Sequence, residues 1–287
     1  DNNLIDNNSY SIAVEDDNPI TDLNAGEGNS FTDLDKLIKD SDSVVDLNHS
    51  YKYYNNSDYN LQYGIVINKS IIIDGHGFTI DGSNLARALN VNKVNLTLKN
   101  VIFVNCTTEK LERGFSFLSG GAISYGESGD ESEEDYETYI IGNFTNCTFI
   151  NCSSEMGGAI SSQTDDIIID SCNFIDCNTT CLSPLFNYAI GQGGAVNAVF
   201  NENGLFKDCL FKNCTAYGEN ANSGAINAEG DEGNFANCSF IDCMAYTTGD
   251  EESSSGAISW YGGNVNYTGC TFNNCFCYWF NSDPERE

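Results

Sequence analysis

Basic residues are scarce in this sequence, and long apolar runs and an initiating methionine are missing from it. The 287 residues hold 42 Asp and Glu against 12 Lys and Arg, which gives a formal net charge of −30. Because phosphate neutralisation dominates nucleic-acid affinity, this balance argues against DNA, RNA or an anionic membrane surface as a partner. No stretch reaches the roughly 18 consecutive apolar residues of a transmembrane helix, so we expect no membrane span.

Three features favour export: the first residue, the sequons and the cysteines. The chain begins at Asp1, which predicts removal of a signal peptide and an extracellular or cell-surface location. N-x-S/T sequons are abundant, and the candidate glycosylation sites are Asn48, Asn55, Asn68 and Asn143. The 13 cysteines favour the same setting, and their odd number leaves at least one outside any intrachain disulfide.

Six copies of one short segment, among them NCTFINC at 146–152, occur between residues 100 and 275. Each copy has a phenylalanine at the same place: Phe103, Phe149, Phe174, Phe211, Phe240 and Phe272. Asn or Asp stands just before the last cysteine of each copy: Asn105, Asn151, Asp176, Asn213, Asp242 and Asn274. A tetrad similar to GGAI accompanies the copies, and 15 or 16 residues separate all but one tetrad from the next cysteine.

This spacing predicts a solenoid of stacked coils. Apolar residues alternate with period two in and around the copies, which is typical of short strands and not of helices. Short strands and turns in a repeat of this length describe a parallel β-helix, in which each coil buries its apolar face on its neighbours. The interval from the last cysteine to the next tetrad varies from 5 to 16 residues, so one corner of the coil accepts loops. We predict about seven to nine coils.

Equivalent residues of successive coils then form columns. The phenylalanines are predicted to fill the interior, and the Asn and Asp side chains to form a hydrogen-bonded ladder along one corner. Two alternatives stay open for the cysteines: buried reduced thiols, or disulfides between coils, because cysteines one coil apart lie within disulfide range. The cysteines concerned are Cys147, Cys152, Cys172, Cys177, Cys209, Cys214, Cys238, Cys243, Cys270 and Cys275.

The two ends differ in composition from the repeats. A short amphipathic helix is predicted near residue 31, with Phe31, Leu34, Leu37 and Ile38 on one face. It would cover the first coil, because an open coil edge promotes aggregation. The predicted segments are an acidic N-terminal extension (1–30), an N-terminal cap (31–64), the parallel β-helix (65–280) and a C-terminal tail (281–287).

The stretches FTDLDKLI, IVINKSIIIDGHGFTIDG and NVNKVNLTLKNVIFVNC resemble the N-terminal region of adhesin-like surface proteins of methanogenic archaea. The GGAI tetrads and Phe-rich strands are also similar to the repeats of chlamydial polymorphic outer-membrane proteins. The resemblance covers residues 31–275 and implies a pectate-lyase-like fold at the cell surface, with a role in adhesion or surface architecture. We therefore expect an all-β fold, a right-handed parallel β-helix (solenoid) with an N-terminal capping helix.

Catalysis needs a separate test, because polysaccharide lyases and hydrolases also use the parallel β-helix. DGHG at 74–77 is similar to the Gly-His-Gly of polygalacturonases, but Asp165 and Asp166 follow the histidine and no Arg-x-Lys triplet exists. Lyases of acidic sugars need Arg or Lys as a base, and the chain has only three arginines. We predict no enzyme, no catalytic residue and no cofactor, with weak calcium binding by the acidic loops 126–137 and 249–253 as the sole metal alternative.

The sequence thus predicts a non-catalytic, extracellular, adhesin-like protein with a structural or adhesive role. Its expected partners are other copies of itself, end to end, or a protein or glycan on a host or neighbouring cell surface. A dedicated subunit of an extracellular filament is the alternative, and a polysaccharide-active β-helix enzyme is the remote one.

Overall fold

A computed structural model describes residues 29–108, 119–125, 139–180, 192–218, 221–247 and 255–279. Over these ranges the chain is a parallel β-helix with one α-helix at its N-terminal end, which confirms the predicted fold class. All strand pairs of the three sheets are parallel and connect strands of successive coils. Each coil alone would expose its apolar side, so the coils are stable only as a stack.

The helix is α1 (Phe31–Asp40), and a 3-10 turn covers Tyr59–Leu61. In chain order the first strands are β1 (Val44–Asp46), β2 (Tyr51–Lys52), β3 (Ile65–Ile67), β4 (Ile71–Asp74), β5 (Thr79–Asp81), β6 (Leu89–Val91), β7 (Leu96–Lys99), β8 (Ile102–Val104), β9 (Ile123–Tyr125), β10 (Ile141–Thr145), β11 (Thr148–Ile150) and β12 (Ser153–Ser154). The remaining strands are β13 (Ile160–Asp170), β14 (Asn173–Ile175), β15 (Asn178–Thr180), β16 (Val196–Lys207), β17 (Leu210–Lys212), β18 (Thr215–Gly218), β19 (Ile226–Ala236), β20 (Ser239–Ile241), β21 (Met244–Thr247), β22 (Ile258–Thr268), β23 (Thr271–Asn273) and β24 (Phe276–Trp279).

Three parallel sheets form the faces of the solenoid. Sheet 1 follows the order β1-β4-β7-β10-β13-β16-β19-β22, with β3, β6 and β9 as a second row that joins it at β13. Sheet 2 is β2-β5-β8-β11-β14-β17-β20-β23, and sheet 3 is β12-β15-β18-β21-β24. The eight strands of sheet 2 give one strand to each coil, which lies within the predicted seven to nine coils.

The N-terminal end is covered by α1. Ser30 and Asp33 form a capping box at its start, and Phe31, Leu34 and Ile38 are buried against the first coils. The buried carboxylate of Asp58 accepts hydrogen bonds from the backbone N–H groups of Phe31 (3.3 Å), Thr32 (3.1 Å) and Tyr54 (2.8 Å). This carboxylate satisfies helix N-terminal donors that the helix itself leaves unpaired, and it fixes α1 to the loop after β2.

The first coil begins earlier than the predicted start of the solenoid at residue 65. Strands β1 and β2 lie inside the predicted cap segment, yet they pair in parallel with β4 and β5. The cap therefore consists of α1 and the chain around Asp58, whereas the strands beside them already belong to the stack. The predicted N-terminal extension falls almost wholly outside the described residues, which start at Asn29.

Candidate functional site

The predicted phenylalanine column forms a continuous stack through the interior. Ring centroids of neighbours lie 5.1, 4.8, 4.7, 4.9 and 4.9 Å apart along the series from Phe103 to Phe272. The strand spacing of about 4.8 Å imposes this separation, and the rings of the column stay nearly parallel because their strands are in register. All are fully buried except Phe272, which is 53% exposed in the last coil. The column is part of the core and forms no binding site.

The predicted Asn and Asp column occupies the corner between sheet 2 and sheet 3, which we call the second corner. Its six residues have φ values between 51° and 55°, in the left-handed region. Asn and Asp reach this region with less strain than other residues that carry a Cβ. The column therefore holds these residue types because the backbone must turn there in every coil.

The second-corner side chains also form hydrogen bonds along the axis, but the ladder is interrupted. Asn105 donates to Asp81 (3.3 Å), Asn151 to Asn105 (2.8 Å) and Asn213 to Asp176 (2.6 Å). A carboxylate has no N–H group, so an aspartate accepts from the coil above and cannot donate to the coil below. The expected ladder is therefore a set of short runs, each of which ends at an aspartate.

A matching column, which was not predicted from the sequence, occupies the first corner, between sheet 1 and sheet 2. Its members share a positive φ and differ in chemistry: Asn100, Asn146, Ser171, Asp208, Asn237 and Gly269. Asn100 donates to Asp74 (2.9 Å) and Asn237 to Asp208 (3.0 Å), and these bonds hold the pKa of each aspartate below its ordinary value. The signal in the sequence was the residue five positions before the second-corner residue of each copy.

The cysteines form two interior columns of free thiols. Several of these thiols donate to a carbonyl of the preceding coil: Cys172 donates to Phe144 (3.5 Å) and Cys177 to Phe149 (3.6 Å). Cys147 and Cys152 donate instead to carbonyls two residues earlier in their own coil, those of Thr145 (3.4 Å) and Ile150 (3.6 Å). Burial raises the pKa of Cys152, Cys177 and Cys214 well above the ordinary thiol value. These three thiols are therefore neutral at pH 7 and pack as small apolar groups.

The disulfide alternative is not realised in the described part of the chain. There Cys147, Cys152, Cys172, Cys177, Cys209, Cys214, Cys238, Cys243, Cys270 and Cys275 are all free. Cys106 and the exposed Cys277 are free as well, and Cys181 lies outside the described residues.

The candidate glycosylation sites differ in accessibility. Asn48, Asn55 and Asn68 are exposed in turns of the first coils. Asn143 lies within β10, where its Oδ1 accepts a hydrogen bond from Thr145 (3.3 Å), and its side chain is half-buried. The first three asparagines are therefore the accessible members of the set.

The residues weighed for catalysis do not come together. His76 sits in a turn after β4, with φ at 49° and its Nε2 at 3.0 Å from the Asp46 carboxylate. Asp165 and Asp166 lie three strands further along sheet 1, in β13. The buried Arg87 donates to the backbone carbonyls of Ser119 (2.5 Å) and Gly120 (3.0 Å), so it supports a turn.

Within the described ranges, no group of three or more His, Cys, Asp and Glu side chains is arranged to hold a metal ion. The acidic loops considered for calcium, residues 126–137 and 249–253, lie outside those ranges. The calcium alternative therefore stays a prediction.

Sheet 3 presents a row of three tyrosines on its outer side, which we call the tyrosine row: Tyr217, Tyr246 and Tyr278. The three residues are in register on β18, β21 and β24, next to the buried Ala216 and Ala245. The rings of Tyr246 and Tyr278 stack at 5.3 Å with an interplanar angle of 10°. Stacked rings turn their edges to solvent, so the row offers a partner apolar edges and hydroxyl groups. The spacing C-x₂-Y in the last three coils is the signal that predicts it.

The last described coil forms a second exposed surface, the open end, made of β22, β23 and β24. Among the described residues, each of these strands pairs with a strand of the preceding coil and with no strand on its other side. Tyr267 (45%), Phe272 (53%) and Trp279 (53%) are exposed there, although the matching positions in earlier coils are buried. Residues 255–279 contain no Asp, Glu, Lys or Arg.

No family model, curated protein or solved structure matches this chain. The described part of the chain contains no helix with the length and hydrophobicity of a membrane span.

Proposed function

We propose that this protein is a non-catalytic, extracellular, adhesin-like rod that binds a protein or glycan of a cell surface. The tyrosine row is the observation that carries the proposal. Tyrosines are enriched at binding surfaces because each supplies a large apolar area and a hydroxyl group at a low cost in conformational entropy. Stacking between neighbouring strands also stabilises the sheet, but it leaves the ring edges and hydroxyl groups of the row available to a partner.

The architecture supports the same role. Interior columns of phenylalanine and cysteine, together with the asparagine ladders at the corners, hold the coils in register, so the tyrosine row lies on a rigid support. A preformed surface loses little conformational freedom on binding, which favours affinity. The resemblance to adhesin-like surface proteins supports the proposed location and role, and the sequons at Asn48, Asn55 and Asn68 fit an exported protein.

The test is the binding of the purified chain to intact cells and to isolated cell-wall polymer, compared with a double variant Tyr217→Ala/Tyr246→Ala. We expect the double variant to bind about 30-fold more weakly or worse, as for the loss of interface hot spots. The matched control is Tyr59→Ala, which removes an exposed tyrosine (63%) at the N-terminal end, far along the stack from sheet 3. Equal binding by the double variant and the wild-type chain would refute the tyrosine row as the adhesive surface.

A second candidate function is a subunit of an extracellular filament, which the open end favours. An unpaired, uncharged strand edge is a template for another chain. End-to-end growth would also need a contact at the other end, where α1 covers the first coil and residues 1–28 lie outside the described ranges. Negative-stain microscopy at neutral pH tests this candidate, because long filaments with a regular axial repeat would support it and short rods would exclude it.

A further inference from the structure

The open end lacks the protection that exposed strand edges normally have. Natural edge strands are blunted by charges, prolines or a covering segment. Residues 255–279 have no charged side chain, whereas the preceding described coil, residues 221–247, has four acidic ones. Depletion of charge together with enrichment of aromatic residues is the composition of an interface core.

The two ends of the described stack differ in what they expose to a second copy. The N-terminal end of a second copy is closed by α1, whose Phe31, Leu34 and Ile38 are already buried. The described surface that matches the open end in shape and lack of charge is therefore the open end of another copy.

The strand lengths of the last coil are compatible with self-pairing. Its strands β22, β23 and β24 have 11, 3 and 4 residues. A two-fold axis through the centre of β22, perpendicular to the solenoid axis, sets β22 antiparallel to its own copy. The same axis places the short β23 of one copy on the short β24 of the other. All three edges then find a partner of similar length, in the isologous arrangement typical of homodimers.

We infer that two copies of this chain pair tail to tail through β22, β23 and β24 and form a rod with a capping helix at each far end. The distribution of charge favours contact between two open ends over contact along the sides of the solenoid. Residues 109–287 hold 27 acidic and five basic side chains, so contacts along the sides would bring carboxylates together, whereas the open ends meet without charge. At the first corner Gly269 has no side chain, so it offers no side-chain oxygen to accept a hydrogen bond from a further coil stacked in the same direction.

This inference concerns the open end and does not rest on the tyrosine row, so the two proposals fail separately. It would give each dimer two adhesive surfaces, and paired binding to one cell surface raises the overall affinity without any new contact.

The experiment measures the mass of the full chain by light scattering after gel filtration, from about 1 to 100 μM, together with negative-stain images of protein carrying gold on an N-terminal tag. We expect twice the chain mass of 31.3 kDa, apart from any glycan, and double-length rods with gold at both far ends. Phe272→Asp places two carboxylates in the interface and is expected to weaken dimerisation by about 100-fold or more. Val66→Asp, at an exposed strand residue of the first coils, is the matched control and leaves the dimer intact.

A second pair of variants keeps the test valid if Phe272→Asp unfolds the last coil, which circular dichroism reports. Asn273→Lys charges the outer side of β23 and is expected to weaken the dimer, whereas Ile241→Lys, in register one coil earlier, leaves it unchanged. A monomer at 100 μM overturns the inference. It does so even if slow amide exchange in β22 shows that residues of the same chain cover the open end. Filaments, or gold at one end and at the middle of the rod, overturn it as well.

Discussion

The corner residues show how backbone geometry selects residue type in this protein. The second-corner column was predicted from the sequence because every member is Asn or Asp. The first-corner column was not predicted, because Asn, Ser, Asp and Gly share a left-handed backbone and no side-chain chemistry. A pattern defined by φ leaves a weaker mark on the sequence than one defined by a side chain.

The interruption of the ladder at Asp176 leads to a prediction at the residue scale. In Asp176→Asn the new amide can donate to the Asn151 carbonyl oxygen, while its own oxygen still accepts from Asn213. We expect the free energy of unfolding to rise by about 0.5–1 kcal/mol, the net contribution of one hydrogen bond. Urea denaturation followed by circular dichroism measures it.

The reverse substitution is the control for that prediction. Asn151→Asp removes the amide that donates to Asn105 (2.8 Å) and adds a carboxylate, so we expect a loss of about 1 kcal/mol. If both variants were equally stable, the side-chain ladder would contribute nothing beyond the backbone turn.

Among the elements, the capping helix was predicted well, but its attachment was not. The face formed by Phe31, Leu34 and Ile38 is buried as expected, whereas Leu37 is only partly buried. No local pattern indicates that Asp58 binds the helix N-terminus, because the two segments are 26 to 27 residues apart. Such a contact depends on the path of the chain and not on a local pattern.

Asp58 therefore provides the prediction at the element scale. Asp58→Ala leaves the N–H groups of Phe31, Thr32 and Tyr54 without their acceptor in a buried setting. We expect a loss of about 2–3 kcal/mol, because hydrogen bonds to a charged acceptor are the stronger ones. Amide hydrogen exchange in α1 measures the loss locally.

A control on the same helix separates this effect from a general loss of charge. Asp40 forms an exposed ion pair with Lys36 four residues earlier. Asp40→Ala is expected to change the stability by less than about 0.5 kcal/mol. A similar loss in both variants would show that Asp58 has no special role in holding the cap.

At the scale of the whole molecule, the sequence predicted the stack and its interior better than its surfaces. Equivalent residues repeat from coil to coil, so the phenylalanine and cysteine columns follow directly from the alignment of the copies. The tyrosine row is limited to the last three coils. It was not predicted, because it is absent from the features that all copies share. The open end is harder still, because it is defined by the charged residues that are missing from 255–279.

Within the described ranges, the asparagine side-chain amides that bond between coils all donate in one direction. In each of the amide bonds from Asn100 to Asp74, Asn151 to Asn105, Asn213 to Asp176, Asn227 to Asn197 and Asn274 to Asp242, the donor lies in the later coil. Several buried thiols follow the same rule: Cys172 and Cys177, for example, donate to carbonyls of the coil before. At these side chains a folded coil presents acceptors and the coil that follows brings the donors, whereas the backbone groups of the sheets donate in both directions.

We infer from this side-chain polarity that each coil is a template for the next, in the order in which the chain is synthesised. We expect a fragment of residues 1–180, which keeps the cap, to show β-sheet circular dichroism and cooperative melting. A fragment of residues 192–287 lacks the coil whose acceptors its first coil needs; Asn213, for example, loses Asp176. We expect this fragment to stay unfolded. If the C-terminal fragment folded and the N-terminal one did not, growth would start from the other end. A chain that folds in this way completes the open end, β22, β23 and β24, after all the coils that precede it.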